Sequence, residues 1–115
     1  MDFAVPAGSG DYAPEILYLR RATPDTLPAE SYLFDEVTEL QTLIAAIPAT
    51  ATVEVDVLKP NDVPGGTWRL AVQSWTTTGL KTILALAMWD GVRIRVKSGG
   101  TAGTATVDAA WWSEE

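Results

Sequence analysis

The 115-residue chain contains neither cysteine nor histidine. Lack of cysteine excludes disulfides, a thiolate nucleophile and Cys-type zinc sites. Lack of histidine removes the commonest general base and the commonest transition-metal ligand together. Ser9, Ser31, Ser74, Ser98 and Ser113 therefore have no imidazole to activate them, and none lies in a nucleophile elbow. No apolar run reaches the roughly eighteen residues that a membrane-spanning helix needs. The opening MDFAVPAGSG has no basic n-region and no apolar h-region, so no signal peptide is expected. Basic residues are scarce: 8 against 15 acids, a formal charge of −7. Such a chain repels phosphate and is not expected to bind nucleic acid. These absences point to a protein that is not an enzyme, with no catalytic, cofactor-binding or metal-binding residues, no membrane partner, and synthesis in the cytoplasm.

The charge that is present is uneven. Residues 1–58 hold ten acids against Arg20 and Arg21, whereas residues 59–115 hold five acids against six bases. An asymmetry of this kind is the mark either of solvated acids or of complementary surfaces in an assembly.

Residues 1–30 read as an arm or irregular segment, because Pro6, Gly8, Gly10, Pro14, Pro24 and Pro28 interrupt regular structure. Only EILYLRR (15–21) has the composition of a short strand there. The arm is too apolar for a solvated linker, with Phe3, Val5, Tyr12, Ile16, Leu17, Tyr18 and Leu19 needing a surface to pack on. Over residues 31–48, Leu33, Val37, Leu40, Ile44 and Ile47 recur at spacings of 4, 3, 4 and 3, which predicts an amphipathic helix stopped by Pro48.

From residue 51 the period becomes two. Val53, Val55 and Val57 alternate with Thr52, Glu54 and Asp56; Trp68, Leu70 and Val72 with Arg69 and Gln73; Val92, Ile94 and Val96 with Arg93, Arg95 and Lys97. TILALAMW (82–89) is apolar on both faces, and Ala105, Val107, Ala109 and Trp111 share the inner face of the last strand. Five strands joined by Gly- and Pro-rich turns over residues 51–115 predict a mainly β fold. The expected form is an antiparallel β-sandwich, jelly-roll-like, carrying one short N-terminal helix and an extended arm, as one domain.

Two groups invite a chemical reading. SGGTAG (98–103) follows three bases, but an alternating strand follows it rather than a helix, and no lysine follows Gly103. A phosphate cradle needs that helix, so a β-hairpin turn is expected. Glu54 and Asp56 share a strand face, yet stand in line on a sheet instead of across a cleft as a glycosidase pair would. They are placed to pair with Arg93, Arg95 and Lys97 if the two strands are neighbours.

Five tryptophans are many for so short a chain. Trp68 and Trp111 fit inward faces, and Trp75, Trp89 and Trp112 fit strand ends or outer faces. Exposed tryptophan serves either as an anchor in a protein interface or as a sugar-stacking surface.

The run GTWRLAVQSWTTTGLKTILALAMWDGVRIRVKSGGTAGTATVDAAWW, with its GVRIRVKSGGTAG strand and loop before a final strand, resembles small β-sandwich structural proteins of tailed-phage virions. The likeness covers about residues 65–112. It implies a capsid-decoration, head-fibre or tail-associated protein located in the virion, commonly a homotrimer, whose partners are itself and other virion proteins. The expected interface residues are Phe3, Tyr12, Ile16, Tyr18, Leu33, Val37, Leu40, Ile44, Trp75, Trp89 and Trp112. The alternative is a carbohydrate-binding module in which an exposed tryptophan stacks on a glycan.

Overall fold

A computed structural model describes the backbone of residues 1–20, 32–33, 37–58, 68–83 and 91–113, and within these the side chains of 1–18, 41–58, 68–83 and 91–109. The described residues form nine strands: β1 (Asp2–Val5), β2 (Leu17–Arg20), β3 (Tyr32–Leu33), β4 (Val37–Ala46), β5 (Thr52–Leu58), β6 (Trp68–Trp75), β7 (Gly79–Thr82), β8 (Gly91–Lys97) and β9 (Gly103–Ser113). They make a four-stranded sheet in the order β1-β9-β4-β7 and a five-stranded sheet in the order β3-β2-β8-β5-β6. Pairing is antiparallel throughout except for the short β2–β3 contact. The mainly β, antiparallel expectation is met.

The two sheets share one core. Phe3, Val5, Ile44, Ala105 and Val107 come from the four-stranded sheet, and Val53, Val55, Val57, Val92, Ile94 and Val96 from the five-stranded one. The alternation read for β5, β8 and the start of β9 is the alternation that buries these side chains. Among the described strands, only β2–β3 and β5–β6 are consecutive within one sheet. Every other connection changes sheet, so the core draws on distant parts of the chain.

This topology corrects the reading of SGGTAG as a β-hairpin turn: β8 and β9 lie in different sheets, and the loop carries the chain between them. Its glycines answer to that crossing. A Cβ on Gly99 would lie 2.2 Å from the Thr50 carbonyl oxygen, and Gly100 has φ 113°. Buried Ser98 ties the loop to residues 10–11, accepting from the Gly10 N–H at 2.8 Å and donating its own N–H to the Asp11 carbonyl at 2.7 Å.

The expected arm is also corrected for residues 1–20, which belong to the sheets. β1 pairs with β9, placing Phe3 opposite Ala105, and Phe3 is fully buried. β2 lies inside the strand expected over 15–21 and pairs with β8. Between them the Ala13 N–H donates to the Val96 carbonyl, and Tyr12 bridges to Lys97. The apolar content that distinguished this segment from a linker is core-forming content. Residues 21–30 lie outside the described residues.

The helix expected over 31–48 is a strand from Val37 to Ala46, while Leu33 belongs to the other sheet; residues 31 and 34–36 lie outside the described residues. The physical reason is visible in the register. β4 shifts against β9 between Val37 and Glu39, and again between Ile44 and Ala46. Each β-bulge inserts one residue and reverses the in–out parity of the strand. A spacing of three across a bulge therefore acts as a spacing of two, and the 4-3 stripe of a helix is also the stripe of a doubly bulged strand. Ile44 and Ile47, three apart across the second shift, both pack on the core.

Candidate functional site

The residues with the most chemistry meet on the outer face of the five-stranded sheet. β5 turns its valines inward, so Glu54 and Asp56 face the other way. β8 lies alongside in a register that sets Glu54 opposite Arg95, Asp56 opposite Arg93 and Thr52 opposite Lys97. Directly opposed residues of an antiparallel pair share a face, and so the acidic row meets the basic row as the alternation anticipated.

Asp56 is the hub. Its Oδ2 accepts from Arg93 Nε at 2.7 Å and Arg95 Nε at 2.6 Å, and its Oδ1 accepts from the backbone N–H of Ala71 at 2.8 Å. Although it faces away from the core, it has no exposed surface. Aromatic rings lie against the cations: the Arg93 guanidinium is 4.5 Å from the Trp68 ring centroid, and that of Arg95 is 4.0 Å from the Tyr12 centroid. Tyr18 tilts against Trp68 with centroids 6.3 Å apart, and the Tyr12 hydroxyl donates to Glu54 at 2.5 Å. Arg95 Nη2 is 3.9 Å from the same Glu54 oxygen, close enough for an ion pair but too far for a hydrogen bond.

The electrostatics follow from this packing. Burial alone would raise the Asp56 pKa, but the hydrogen bonds from Arg93, the Ala71 N–H and Arg95 outweigh it and hold the carboxyl below its usual 3.8. Burial and the bond to Glu54 push the Tyr12 phenol above 10, and the Arg95 charge only partly opposes them. Asp56 is thus a sealed, ionised acceptor and Tyr12 a neutral donor at physiological pH. Burying an ion pair costs several kcal/mol unless its geometry and hydrogen bonds are good, and here both carboxylate oxygens are occupied. The cluster locks β5, β8 and the β6 bulge together.

The facing expected for β6 is reversed, and the β6 bulge, which adds two residues, leaves the parity of the strand unchanged. Val55 pairs with Gln73 but Val57 with Arg69, so four residues of β6 span two of β5. Ala71 sits in it with φ 50°. Leu70 and Val72, expected inward, are 57% and 38% exposed. Trp68, also expected inward, is on the Arg93 face, whereas Trp75 is at a strand end, one of the two places expected for it, where it stands opposite Val53 and packs partly buried on the core.

Other exposed leucines were missed because of where their residues were assigned. Leu43 fell in the expected helix, and Leu80 lay just before the apolar run 82–89, outside every expected strand. They are cross-strand partners on β4 and β7, 41% and 50% exposed, with Asp108 of β9 opposite Leu43 on its other side. Thr42 and Ile44 on either side of Leu43 are buried, so the row Asp108–Leu43–Leu80 runs across the outer face of the four-stranded sheet.

The residues expected at an interface are dispersed. Phe3 and Ile44 are core, leaving them no surface to offer a partner, and Trp75 is half-buried against that core. Tyr12 and Tyr18 belong to the Asp56 cluster, and Ile16, half-buried, precedes β2. Leu33 is on β3, Val37 and Leu40 on β4, and Trp112 on β9 opposite Glu39; Trp89 lies outside the described residues. Comparison with protein-family models, curated proteins and solved structures finds no match to the chain.

Proposed function

We propose that this chain is a non-enzymatic structural protein that works by self-association, its two sheets packed as a β-sandwich of jelly-roll-like form. The observation that carries this reading is the exposed Leu43–Leu80 pair on adjacent strands. Single apolar residues at a surface need no explanation, but neighbouring large ones mark contact surfaces. Leu70 and Val72 add a second exposed pair at the β6 bulge. The charged residues best placed for chemistry are, by contrast, bonded to one another around Asp56. The similarity of residues 65–112 to small tailed-phage proteins suggests the setting: a virion component of the decoration, head-fibre or tail-associated kind, assembled as a homotrimer that contacts other virion proteins.

Light scattering across a tenfold concentration range tests the self-association. A closed oligomer of constant mass supports it, and a monomer at every concentration removes it. Glycan binding is the weaker reading, since Arg93 lies over the Trp68 ring and Trp75 packs on the core.

A further inference from the structure

We propose that the buried charge on Asp56 selects the register of β6, holding it in a bulged pairing two residues away from a regular one. This role of Asp56 is independent of self-association.

Two registers are open to β6. Counted on from the Val55–Gln73 pair, a regular antiparallel ladder would set Asp56 opposite Val72, Val57 opposite Ala71 and Leu58 opposite Leu70. The structure instead pairs Val57 with Arg69 and Leu58 with Trp68, so Leu70, Ala71 and Val72 all stand against Asp56. A one-residue slip turns every side chain to the other face of a sheet, but a two-residue slip keeps each on its own. Alternation therefore does not choose between these pairings.

Local preference runs toward the regular one. It would set Ala71 rather than Arg69 opposite core-facing Val57, and Leu70 opposite buried Leu58. It would also release Ala71 from its φ of 50°, a conformation that costs an L-residue free energy. The segment joining the two strands would run over 59–69 instead of 59–67, and loop-closure entropy changes little with such a lengthening.

What the bulged pairing alone supplies is contact with the charged cluster. The Ala71 N–H turns to Asp56 Oδ1 at 2.8 Å and is the third donor to a carboxylate with no exposed surface. Arg93, bonded to the other oxygen, lies over the Trp68 ring, and Trp68 stands opposite Leu58 only in this pairing. With Ala71 drawn into line opposite Val57, Oδ1 would lose its donor, and a buried ionised oxygen short of donors is costly. Fixing register is the best-attested use of buried charge. The cluster thereby also sets the display of Leu70 and Val72, both exposed in the bulge.

Cross-strand backbone contacts of Val57, read from nuclear Overhauser spectra of labelled protein, distinguish the registers: Arg69 in the bulged one, position 71 in the regular one. Wild type is expected to show Arg69 alone. Ala71→Val, at an exposed position, penalises the positive φ and leaves the side chains of the cluster intact. It is expected to add the contact with position 71, and so is Asp56→Asn. Adding Ala71→Gly to Asp56→Asn relieves the φ penalty and is expected to move the ratio of registers back toward Arg69 by about tenfold. If Asp56→Asn does not fold, Asp56→Leu with Arg93→Met and Arg95→Met removes the cluster without leaving an arginine unpaired, and the same contact decides. A wild type that shows both contacts, or a folded variant of Ala71→Val or of Asp56 that keeps Arg69 alone, overturns the proposal.

Discussion

The backbone N–H of Ala71 donates to Oδ1 of Asp56 at 2.8 Å, joining a residue of positive φ in β6 to a carboxylate with no exposed surface. Because Arg93 and Arg95 occupy the other oxygen, the charge on Asp56 supports three strands at once. Asp56→Asn is expected to cost about 3 kcal/mol, since two partly buried arginines lose the carboxylate they share, Arg95 keeping only its longer ion pair to Glu54, and the amide presents a donor to donors. Chemical denaturation at pH 7 measures it. The folded-state pKa of Asp56 is lowered, so its stabilisation is fully present above about pH 4 and is lost as pH falls through the folded value. The difference between wild type and variant should therefore shrink below about pH 4, and a difference that is constant with pH would count against this assignment.

Phe3 tests whether the N-terminal segment is part of the body. It is fully buried opposite Ala105, and large-to-small changes at such sites typically cost about 3–5 kcal/mol. Phe3→Ala should lower the denaturation midpoint by the corresponding amount, and deletion of residues 1–20, which removes β1 and β2, should prevent folding. A truncated chain that kept cooperative unfolding would mean that these strands are dispensable.

Thr50 is a β-branched residue at φ 63°, and the tightness of the turn shows in the Thr50 oxygen lying 2.2 Å from where a Gly99 Cβ would be. Asn accepts this left-handed conformation more readily than Thr does. Thr50→Asn is expected to stabilise by about 1 kcal/mol, less a little for the lost hydroxyl bond to the Ala49 carbonyl. Thermal unfolding reads the sign directly.

How far the fold was legible depended on local regularity. β5 and β8 alternate without interruption, so Val53, Val55, Val57, Val92, Ile94 and Val96 were legible as core and Glu54 and Asp56 as partners of the arginines. Legibility failed where parity misled. Two bulges gave β4 the spacing of a helix, and in β6 both alternating faces carry apolar residues, so Leu70 and Val72 were read as inward although they are exposed. Parity is a local signal, whereas a bulge is defined against a neighbouring strand distant in sequence. The same limit explains the SGGTAG loop: its glycines announced a turn, but nothing in adjacent residues told which sheet the chain would enter next. The burial of Asp56 was likewise not legible, because it depends on Ala71, Arg93 and Arg95 converging from two other strands.

The central claim is that the charged cluster serves the fold while the exposed leucines serve assembly. Sedimentation equilibrium of the wild type beside the Leu43→Ser/Leu80→Ser double variant tests it most directly. The account predicts a closed oligomer for the wild type and a folded monomer for the variant. A wild type that sediments as a monomer, or a variant that keeps the wild-type mass, would contradict it.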